Sequence, residues 1–330
     1  MGPGRVVRAS VLAVAVCALA ALLGWAGNGP VRSLAAVPAS TAQGPCRGAP
    51  APSRLRHVIV LVLENHSYSQ ILGSSSAPNL NRLASSCGVA SNYHSISHPS
   101  LPNYLALTAG STFGLATDVC HCSLAVGGVF RQMALSGQRW GVYAESMPRA
   151  CWVGSTSALG YTSRHNPPVY FRPLWSSCRA HDRRLGVPTS GPLDTALRDG
   201  SLPAYSLIVP NLCNDMHNCS ISTSDAWVGR WVRRIQNSYA YQRQPTAIFI
   251  LWDEGTGGHI GAGENCASHL ADQSCHVPLI VVSRFVRPGT AIRAYFTHYS
   301  LLRAIEVMLH VRPLRRAATA PRGLASAFHL

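Results

Sequence analysis

Four continuous apolar runs constrain the fold of this 330-residue chain more than any other feature of its sequence. Each has the length of one strand and lacks the alternation of a half-exposed strand, which is typical of strands buried on both faces of a sheet. The runs are HVIVLVL (57–63), AYSLIVP (204–210), TAIFILWDE (246–254) and VPLIVVS (277–283). A shorter run, WGVYAE (140–145), predicts a fifth strand.

Segments with helical periodicity lie between these runs. Apolar residues recur at helical spacing in 77–87, 101–109, 224–236 and 299–309. The stretch 111–204 is rich in loops, and RQMALSGQ (131–138) within it indicates a short helix. Strands that alternate with helices predict an α/β fold with a mostly parallel central sheet and helices on both faces. Ligands of such sheets bind at the carboxyl ends of the strands.

Residues 1–39 have the features of a targeting segment. Arg5 and Arg8 precede an uncharged apolar stretch (9–27) and then small residues, as in a secretory signal peptide. The stretch also has nearly the length of a membrane anchor. We therefore expect a secreted protein, or one held outside the cell by an uncleaved N-terminal segment. Pro, Ala and Gly then predict a linker over 40–56, which leaves a domain over 57–312 and a C-terminal tail over 313–330.

The cysteines fit export. Ten of the eleven lie after the apolar stretch, and an even number in an exported chain predicts disulfides. Cys213 with Cys219, and Cys266 with Cys275, would close short loops. The CHC motif at 120–122 is a candidate metal site, but its spacing matches no zinc pattern, which favours disulfides there as well.

The net charge of +15 comes from arginine, since the chain has no lysine. The arginines are scattered, and no basic stripe alternates with aromatic residues, so we expect no nucleic-acid partner. The excess positive charge favours anionic substrates or an anionic membrane surface.

Acidic and polar side chains follow three of the predicted strands. Glu64 and Asn65 follow the first, Asp253 and Glu254 follow the run 246–252, and Asp215 lies shortly after 204–210. Oxygen ligands from several strand ends suit a divalent metal ion. A helix cap or a solvated loop is the ordinary alternative for any one of these acids. Two adjacent carboxylates repel each other unless a cation or a proton separates them.

Ser100, in SHPSLPNYLALTAG (97–110), begins another apolar helical pattern. It could simply cap the helix. It could also attack a phosphorus atom, because an anion at that end would meet the helix dipole and free backbone N–H groups. Asn103, one turn later, could then donate to a phosphoryl oxygen. The chain has no GxSxG motif, which argues against an ordinary lipase or esterase.

Several of these stretches together resemble a known family. They are HVIVLVLENHSYSQILG, SHPSLPNYLALTAGST, VPNLCNDMHNC, SDAWVGRWV, LWDEG and HYSLLRAIE. In this order they resemble the bacterial phosphoesterase family of secreted acid phosphatases and phospholipase C-like enzymes, especially its short actinobacterial members. The resemblance covers most of 57–310. It implies an alkaline-phosphatase-like fold and a catalytic domain over 57–312.

The resemblance also implies roles for individual residues. It makes Ser100 the nucleophile and Asn103 a phosphate contact, with one divalent metal ion on Glu64, Asn65, Asp253 and Glu254. Glu254 departs from the family pattern, which has Asp at that position. Further residues match family positions, and each histidine among them could equally be structural. They are His217 with Asp215, for leaving-group protonation or phosphoryl stabilisation, and His98 and His165, for substrate binding, with His298 a weaker candidate.

The function predicted from the sequence is an acid phosphatase that hydrolyses phosphomonoesters, phosphoinositides among them, through a phosphoserine. A phospholipase C or phosphodiesterase is the alternative within enzymes, because the chemistry at phosphorus is nearly the same. An extracellular anion-binding protein without activity is the alternative outside them.

Overall fold

A central sheet of eight strands organises the residues that the computed structural model describes, 44–257 and 260–330. A second, smaller sheet has two strands. In chain order the strands are β1 (His57–Leu63), β2 (Gly88–Ala90), β3 (Tyr93–His94), β4 (Trp140–Ala144), β5 (Asp182–Arg184), β6 (Tyr205–Val209), β7 (Thr246–Trp252), β8 (Leu279–Val282), β9 (Thr290–Ile292) and β10 (Phe296–Thr297). The large sheet has the order β5-β4-β6-β1-β7-β8-β2-β9, and β3 pairs with β10.

The centre of the large sheet is parallel. Strand β1 pairs in parallel with β6 on one side and β7 on the other, and all three strands are buried along their length. Strand β8 is antiparallel to both β7 and β2. The predicted α/β class with a mostly parallel central sheet is confirmed. All five predicted strands are present, and because β1, β6 and β7 point the same way, their carboxyl ends meet at one edge.

Along the chain, α-helices separate many of these strands and follow the last one. They are α1 (Tyr68–Ile71), α2 (Pro78–Ser86), α3 (Ser100–Ala109), α4 (Gly128–Leu135), α5 (Cys178–His181), α6 (Pro192–Arg198), α7 (Ile221–Gln236), α8 (Tyr239–Arg243), α9 (His298–Met308) and α10 (Leu324–Ala327). Helix α3 packs against α9 and α4, while α2 packs against α7. Within the described part of the chain, no helix combines the length and apolar character needed to cross a membrane.

The long predicted helices are confirmed, with shifts at their ends. The predicted helix 131–138 begins three residues earlier, at Gly128, and ends at Leu135, before Gly137 with its left-handed φ of 70°. Helix α7 begins at Ile221 because the Ser220 side chain accepts the N–H of Thr223. The apolar stripes of α7 and α9 are buried as expected, among them Trp227, Trp231, Ile235, Leu301, Leu302, Ile305 and Met308.

Five disulfides join the ten cysteines of this domain. The pairs are Cys46–Cys87, Cys120–Cys122, Cys151–Cys178, Cys213–Cys219 and Cys266–Cys275. The predicted disulfide framework is therefore present, including the two short loops. The CHC motif forms a disulfide and leaves no thiol for a metal ion.

The predicted linker and the predicted tail both pack against the domain, as far as the structure describes them. In the predicted linker 40–56, Cys46 is bonded to Cys87, and the N–H groups of Arg47 and Ala49 donate to the Arg284 carbonyl. This part is not a free linker. In the predicted tail 313–330, Phe328 is fully buried. A carbon added at Gly88 would lie 2.7 Å from the Phe328 ring, so only glycine permits this close approach. The predicted targeting segment, 1–39, lies outside the described residues.

Candidate active site

The carboxyl ends of the three central strands bring their acids together. Glu64 directly follows β1 and Asp253 directly follows β7, while β6 leads through a short loop to Asp215. The Glu64 N–H donates to the Asp215 carbonyl (2.8 Å), and the Asp253 N–H donates to the Leu63 carbonyl (3.0 Å). Backbone hydrogen bonds thus hold the three carboxylates at one edge of the sheet. Each is at most 2% exposed.

Ser100 meets this cluster through its hydroxyl group. It is the first residue of α3, after Pro99 at the N-cap, and its side chain does not cap the helix. Its Oγ donates instead to Glu64 Oε2 at 2.9 Å. Ser100 is therefore held against the acid that follows β1.

Glu64 also contacts an aromatic side chain and an imidazole. Tyr104, one turn after Ser100 on α3, donates its hydroxyl to Glu64 Oε1 at 2.5 Å. His165 Nε2 lies 3.3 Å from Glu64 Oε2, and its Nδ1 lies 3.4 Å from Asp215 Oδ2. The rings of Tyr104 and His165 stack with centroids 5.1 Å apart. His165 thus lies between two carboxylates that come from different strand ends.

Burial dominates the electrostatics of the cluster. It raises the pKa of Glu64, Asp215 and Asp253 well above their usual ranges, and repulsion among the carboxylates raises the pKa of Glu64 further. Burial lowers the pKa of His165 well below its usual value, so this imidazole is neutral near neutral pH. Carboxylates this close require protons or a cation to offset their repulsion.

The donor atoms of this cluster fit a cation. Within the cluster, four buried polar atoms have no hydrogen-bond partner: Asn65 Oδ1, His165 Nε2, Asp215 Oδ2 and Asp253 Oδ2. Ligand atoms of Glu64, His165 and Asp215 all lie within 4.8 Å of one another. Carboxylate, amide and imidazole donors suit a divalent ion. The residues present could therefore hold a metal ion. Asp215 and His165 lie beside Glu64, Asn65 and Asp253, which are three of the four ligands expected from the sequence.

Glu254, the fourth metal ligand expected from the sequence, contacts two other residues of the site through one oxygen. Its Oε2 is 2.9 Å from His98 Nδ1 and accepts a 3.4 Å hydrogen bond from Asn103 Nδ2. Burial, followed by the nearby Asp118 carboxylate, raises the Glu254 pKa to about 9. The longer Glu side chain thus reaches toward the residues expected to contact substrate.

Asn103 fixes the loop that enters α3. Its Oδ1 accepts the N–H groups of Ile96 and Ser97, both at 3.0 Å, and its Nδ2 donates to the Ser97 carbonyl at 2.7 Å. Only the weak hydrogen bond to Glu254 involves a side chain of the site. In this structure the amide positions the loop before Ser100, and a phosphate contact would have to replace the bond to Glu254.

Two other histidines expected from the sequence have different surroundings. His217 Nε2 accepts from the Arg164 guanidinium (3.1 Å), so its Nδ1–H faces Asn218 (2.6 Å). His298 is fully buried: its Nε2 donates to the Asp253 carbonyl (2.6 Å) and its Nδ1 accepts from the Tyr93 hydroxyl. His298 supports the backbone of Asp253 and does not open onto the cluster.

Sequence reasoning missed three residues of the site. Tyr104 lies within the apolar helical pattern 101–109, which predicts a core position, and no periodic pattern marks Asp118 or Arg164, which lie in the loop-rich stretch. Asp118 Oδ1 accepts the Leu101 N–H (2.9 Å), and Arg164 Nε lies 3.5 Å from Asp118 Oδ2. A tyrosine four residues after a candidate nucleophile, on the same helix face, was the one available signal.

The chain is similar to known proteins over most of its length. A family model described as Phosphoesterase family matches residues 74–312. The phosphatidylinositol-3-phosphatase of Mycobacterium tuberculosis is 30% identical over 320 residues, covering 96% of this chain and 93% of that protein. The phosphate-repressible acid phosphatase of Penicillium chrysogenum is 31% identical over 185 residues, covering 54% of this chain and 43% of that protein. The chain thus spans less than half of the fungal protein.

A solved structure shares the fold at low sequence identity. A protein of the alkaline phosphatase superfamily from Vibrio parahaemolyticus superposes with a TM-score of 0.53 at 12% identity. The match covers 86% of this chain and 74% of that one. The expected alkaline-phosphatase-like architecture is thereby confirmed.

Proposed function

The chain belongs to the phosphoesterase family, and on that premise we propose that it is a secreted, metal-dependent acid phosphatase that works through a phosphoserine at Ser100. The resemblance drawn from the sequence motifs is confirmed, and the protein is a hydrolase of phosphoric ester bonds. One observation carries the proposal: the Ser100 hydroxyl, at the start of α3, hydrogen bonds a buried carboxylate in a cluster of acids from three strand ends.

The proposed ligands of a single divalent metal ion are Glu64, Asn65 and Asp253, with Asp215 and His165 close enough to take part. The unpartnered atoms of Asn65, His165, Asp215 and Asp253 support this set. When bound, such an ion would lower the pKa of the serine hydroxyl and offset the charge of the phosphoryl oxygens. Glu254, whose Oε2 lies 2.9 Å from His98 Nδ1, would join this set through its other oxygen, Oε1.

In the proposed reaction, Ser100 Oγ attacks phosphorus while the bond from phosphorus to the alcohol oxygen breaks. Oγ loses its proton, and the departing alcohol oxygen gains one. Water then attacks the phosphoserine, the bond between phosphorus and Oγ breaks, and inorganic phosphate and free Ser100 result. Glu64 orients the hydroxyl, and the N-terminal end of α3 offers backbone N–H groups to the phosphoryl oxygens.

Histidines could supply the proton to the departing oxygen. His217 is half exposed, and its Nε2 faces the Arg164 guanidinium. His98 carries its Nδ1 2.9 Å from Glu254 and its Nε2 3.2 Å from the Ser274 hydroxyl. The partial exposure of His217 favours it on the leaving-group side, because a departing alcohol must reach solvent.

We propose phosphomonoesters as the substrate class, with a phosphoinositide as one member. The relative that matches over nearly the whole chain is a phosphatidylinositol-3-phosphatase. The excess of arginine, giving +15, also favours a substrate that carries several negative charges. Secretion agrees with the five disulfides.

Replacing Ser100→Ala tests the function. We expect hydrolysis of p-nitrophenyl phosphate by the metal-loaded enzyme to fall at least about 1,000-fold, because the nucleophile is lost. The exposed Ser85→Ala change on α2 is the matched control and should keep the parent rate. Acid quenching with labelled substrate should leave phosphate on the parent protein and none on the Ser100→Ala variant. Hydrolysis by that variant at the parent rate would refute the assignment.

A substrate panel then separates the alternatives. Faster turnover of phosphatidylinositol 3-phosphate vesicles than of phosphatidylcholine vesicles supports a phosphatase, and the reverse supports a phospholipase C. Phosphate-ester binding without any turnover after metal loading would support a binding protein.

A further inference from the structure

Asp118 holds a position at the N-terminal end of α3. Its Oδ1 accepts the N–H of Leu101, the residue after the proposed nucleophile, at 2.9 Å. Its Oδ2 lies 3.5 Å from Arg164 Nε. One carboxylate thus contacts a helix N-terminus through one oxygen and an arginine through the other.

These two contacts are the ones that a phosphoryl group would use. Backbone N–H groups in the first turn of a helix bind anions, and arginine pairs with phosphate through several N–H donors. Since Leu101 directly follows Ser100, an anion bound to the Leu101 N–H lies beside the serine that must attack it. The Asp118 carboxylate offers two oxygens where a phosphoryl group would offer three.

Arg164 is held in place on its other side. Its Nη2 donates to His217 Nε2 at 3.1 Å, and its Nη1 lies 3.5 Å from the Thr162 hydroxyl. Its positive charge lowers the pKa of both Glu254 and Asp215, which offsets part of the rise that burial causes. A fixed guanidinium in this position can receive an anion without reorganising.

Asp118 lies on a connection that can release it. The connection joins α3 to α4 and is fastened near its two ends, where the Leu115 N–H donates to Thr112 and Leu124 pairs with Phe171. The Asp118 side chain is 31% exposed, so its carboxylate can turn toward solvent without leaving a hole in the core. Displacement of Asp118 therefore costs little compared with movement of any other acid of the site.

We propose that Arg164 binds the phosphoryl group of the substrate and that Asp118 takes the place of that group in the free enzyme. The inference rests on the proposed function, since it assigns binding roles to two residues beside Ser100. Asp118 thus acts as an internal competitor that weakens the binding of the substrate and of the product phosphate alike. By the same contact it keeps Arg164 turned toward the nucleophile while the site is free.

Inorganic phosphate is the probe, measured as a competitive inhibitor of p-nitrophenyl phosphate hydrolysis and by direct calorimetric titration of the metal-loaded protein. Arg164→Gln should raise the inhibition constant at least about tenfold, because a charged hydrogen-bond donor is lost. Asp118→Asn should lower it about threefold or more, because the competing charge is gone while the shape is kept. In the double variant, the gain from Asp118→Asn should largely disappear, since Asp118 competes for Arg164.

Matched controls separate these effects from a general change in charge. Arg172→Gln removes an exposed arginine from the same loop-rich stretch, and Asp199→Asn removes an exposed aspartate at the end of α6. Both should leave the inhibition constant within about twofold of the parent value. An inhibition constant for Arg164→Gln equal to that of Arg172→Gln overturns the role of Arg164, and weaker phosphate binding in Asp118→Asn overturns the role of Asp118.

The two proposals can fail separately. If these variants bind phosphate like their controls while Ser100→Ala stays inactive, the phosphatase stands and the inference falls. If Ser100→Ala is active, the proposed function falls first. Should Arg164→Gln not fold, the partly exposed Asp118→Asn variant still decides the inference.

Discussion

At Glu64 the two carboxylate oxygens have different partners. Oε2 accepts the Ser100 hydroxyl, and Oε1 accepts the Tyr104 hydroxyl. Because the side chain is fully buried, water cannot replace either hydrogen bond. Ser100 and Tyr104 lie one turn apart on α3, so one helix sets both contacts. The orientation of Glu64, the proposed metal ligand that holds the Ser100 hydroxyl, therefore depends on a tyrosine outside the predicted set of site residues.

Replacing Tyr104→Phe tests that dependence. This variant keeps the ring that stacks on His165 and loses only the hydroxyl. We therefore expect kcat to fall about tenfold and the free energy of unfolding to fall by about 1–3 kcal/mol. Tyr241→Phe is the matched control, because its hydroxyl donates to the distant Pro45 carbonyl. It should lose similar stability and keep kcat. Steady-state kinetics and urea unfolding measure both, and an unchanged kcat in Tyr104→Phe would contradict the role given to it.

At the scale of elements, the parallel strands explain what could be predicted. Glu64 and Asp253 follow continuous apolar runs, and a parallel sheet brings such ends to one edge, so the acid cluster was visible in the sequence. Asp118 and Arg164 were not, because they lie on irregular connections without a period, and only tertiary contacts bring them to α3. The antiparallel direction of β8 could not be predicted either, because the apolar run of a buried strand does not show which way the strand runs in the sheet.

The loop after β6 is an element whose closure can be tested. Cys213 and Cys219 enclose Asp215 and His217, and the Asp215 carbonyl accepts the Glu64 N–H. Opening the loop with Cys213→Ser and Cys219→Ser should lower kcat about tenfold, because both residues lose their fixed position. The loss of stability should be about 2 kcal/mol, since the bridged cysteines are only 6 residues apart.

The Cys46–Cys87 bridge provides the opposite case. Its cysteines are 41 residues apart, so removing it should cost about 4 kcal/mol by loop entropy. It fastens the N-terminal segment to Cys87 at the end of α2, and kcat should stay at the parent value. Parallel thermal unfolding and kinetics on the two double variants compare them. Equal kinetic losses in both would show that the loop after β6 has no special part in the site.

Across the whole molecule, the acid cluster links metal binding to pH. Folding raises the pKa of Glu64, Asp215 and Asp253. Such groups stabilise the folded state most at a pH below their unfolded values of about 4, and this contribution is lost as the pH rises toward the folded values. The buried histidines, with lowered pKa values, have the opposite sign, and their contribution is complete above about pH 6.5.

Removing the metal should therefore make stability fall with rising pH. We expect Tm of chelator-treated protein to decrease as the pH rises above about 6.5, where histidine no longer contributes, toward the raised pKa values of the cluster. Metal-loaded protein should change much less, because a cation replaces the protons on the carboxylates. Glu306, whose pKa burial raises to about 8, contributes equally to both forms and cancels in the comparison. Identical pH profiles for the two forms would argue against a cation on these acids.

The close approach of Phe328 to Gly88 makes the segment after α10 part of the interior. Its aromatic ring lies where the side chain of any residue other than glycine at position 88 would have to sit. Strand β2 and this segment are therefore fitted to each other in size, so a bulkier residue at 88 or a smaller one at 328 would spoil the same contact.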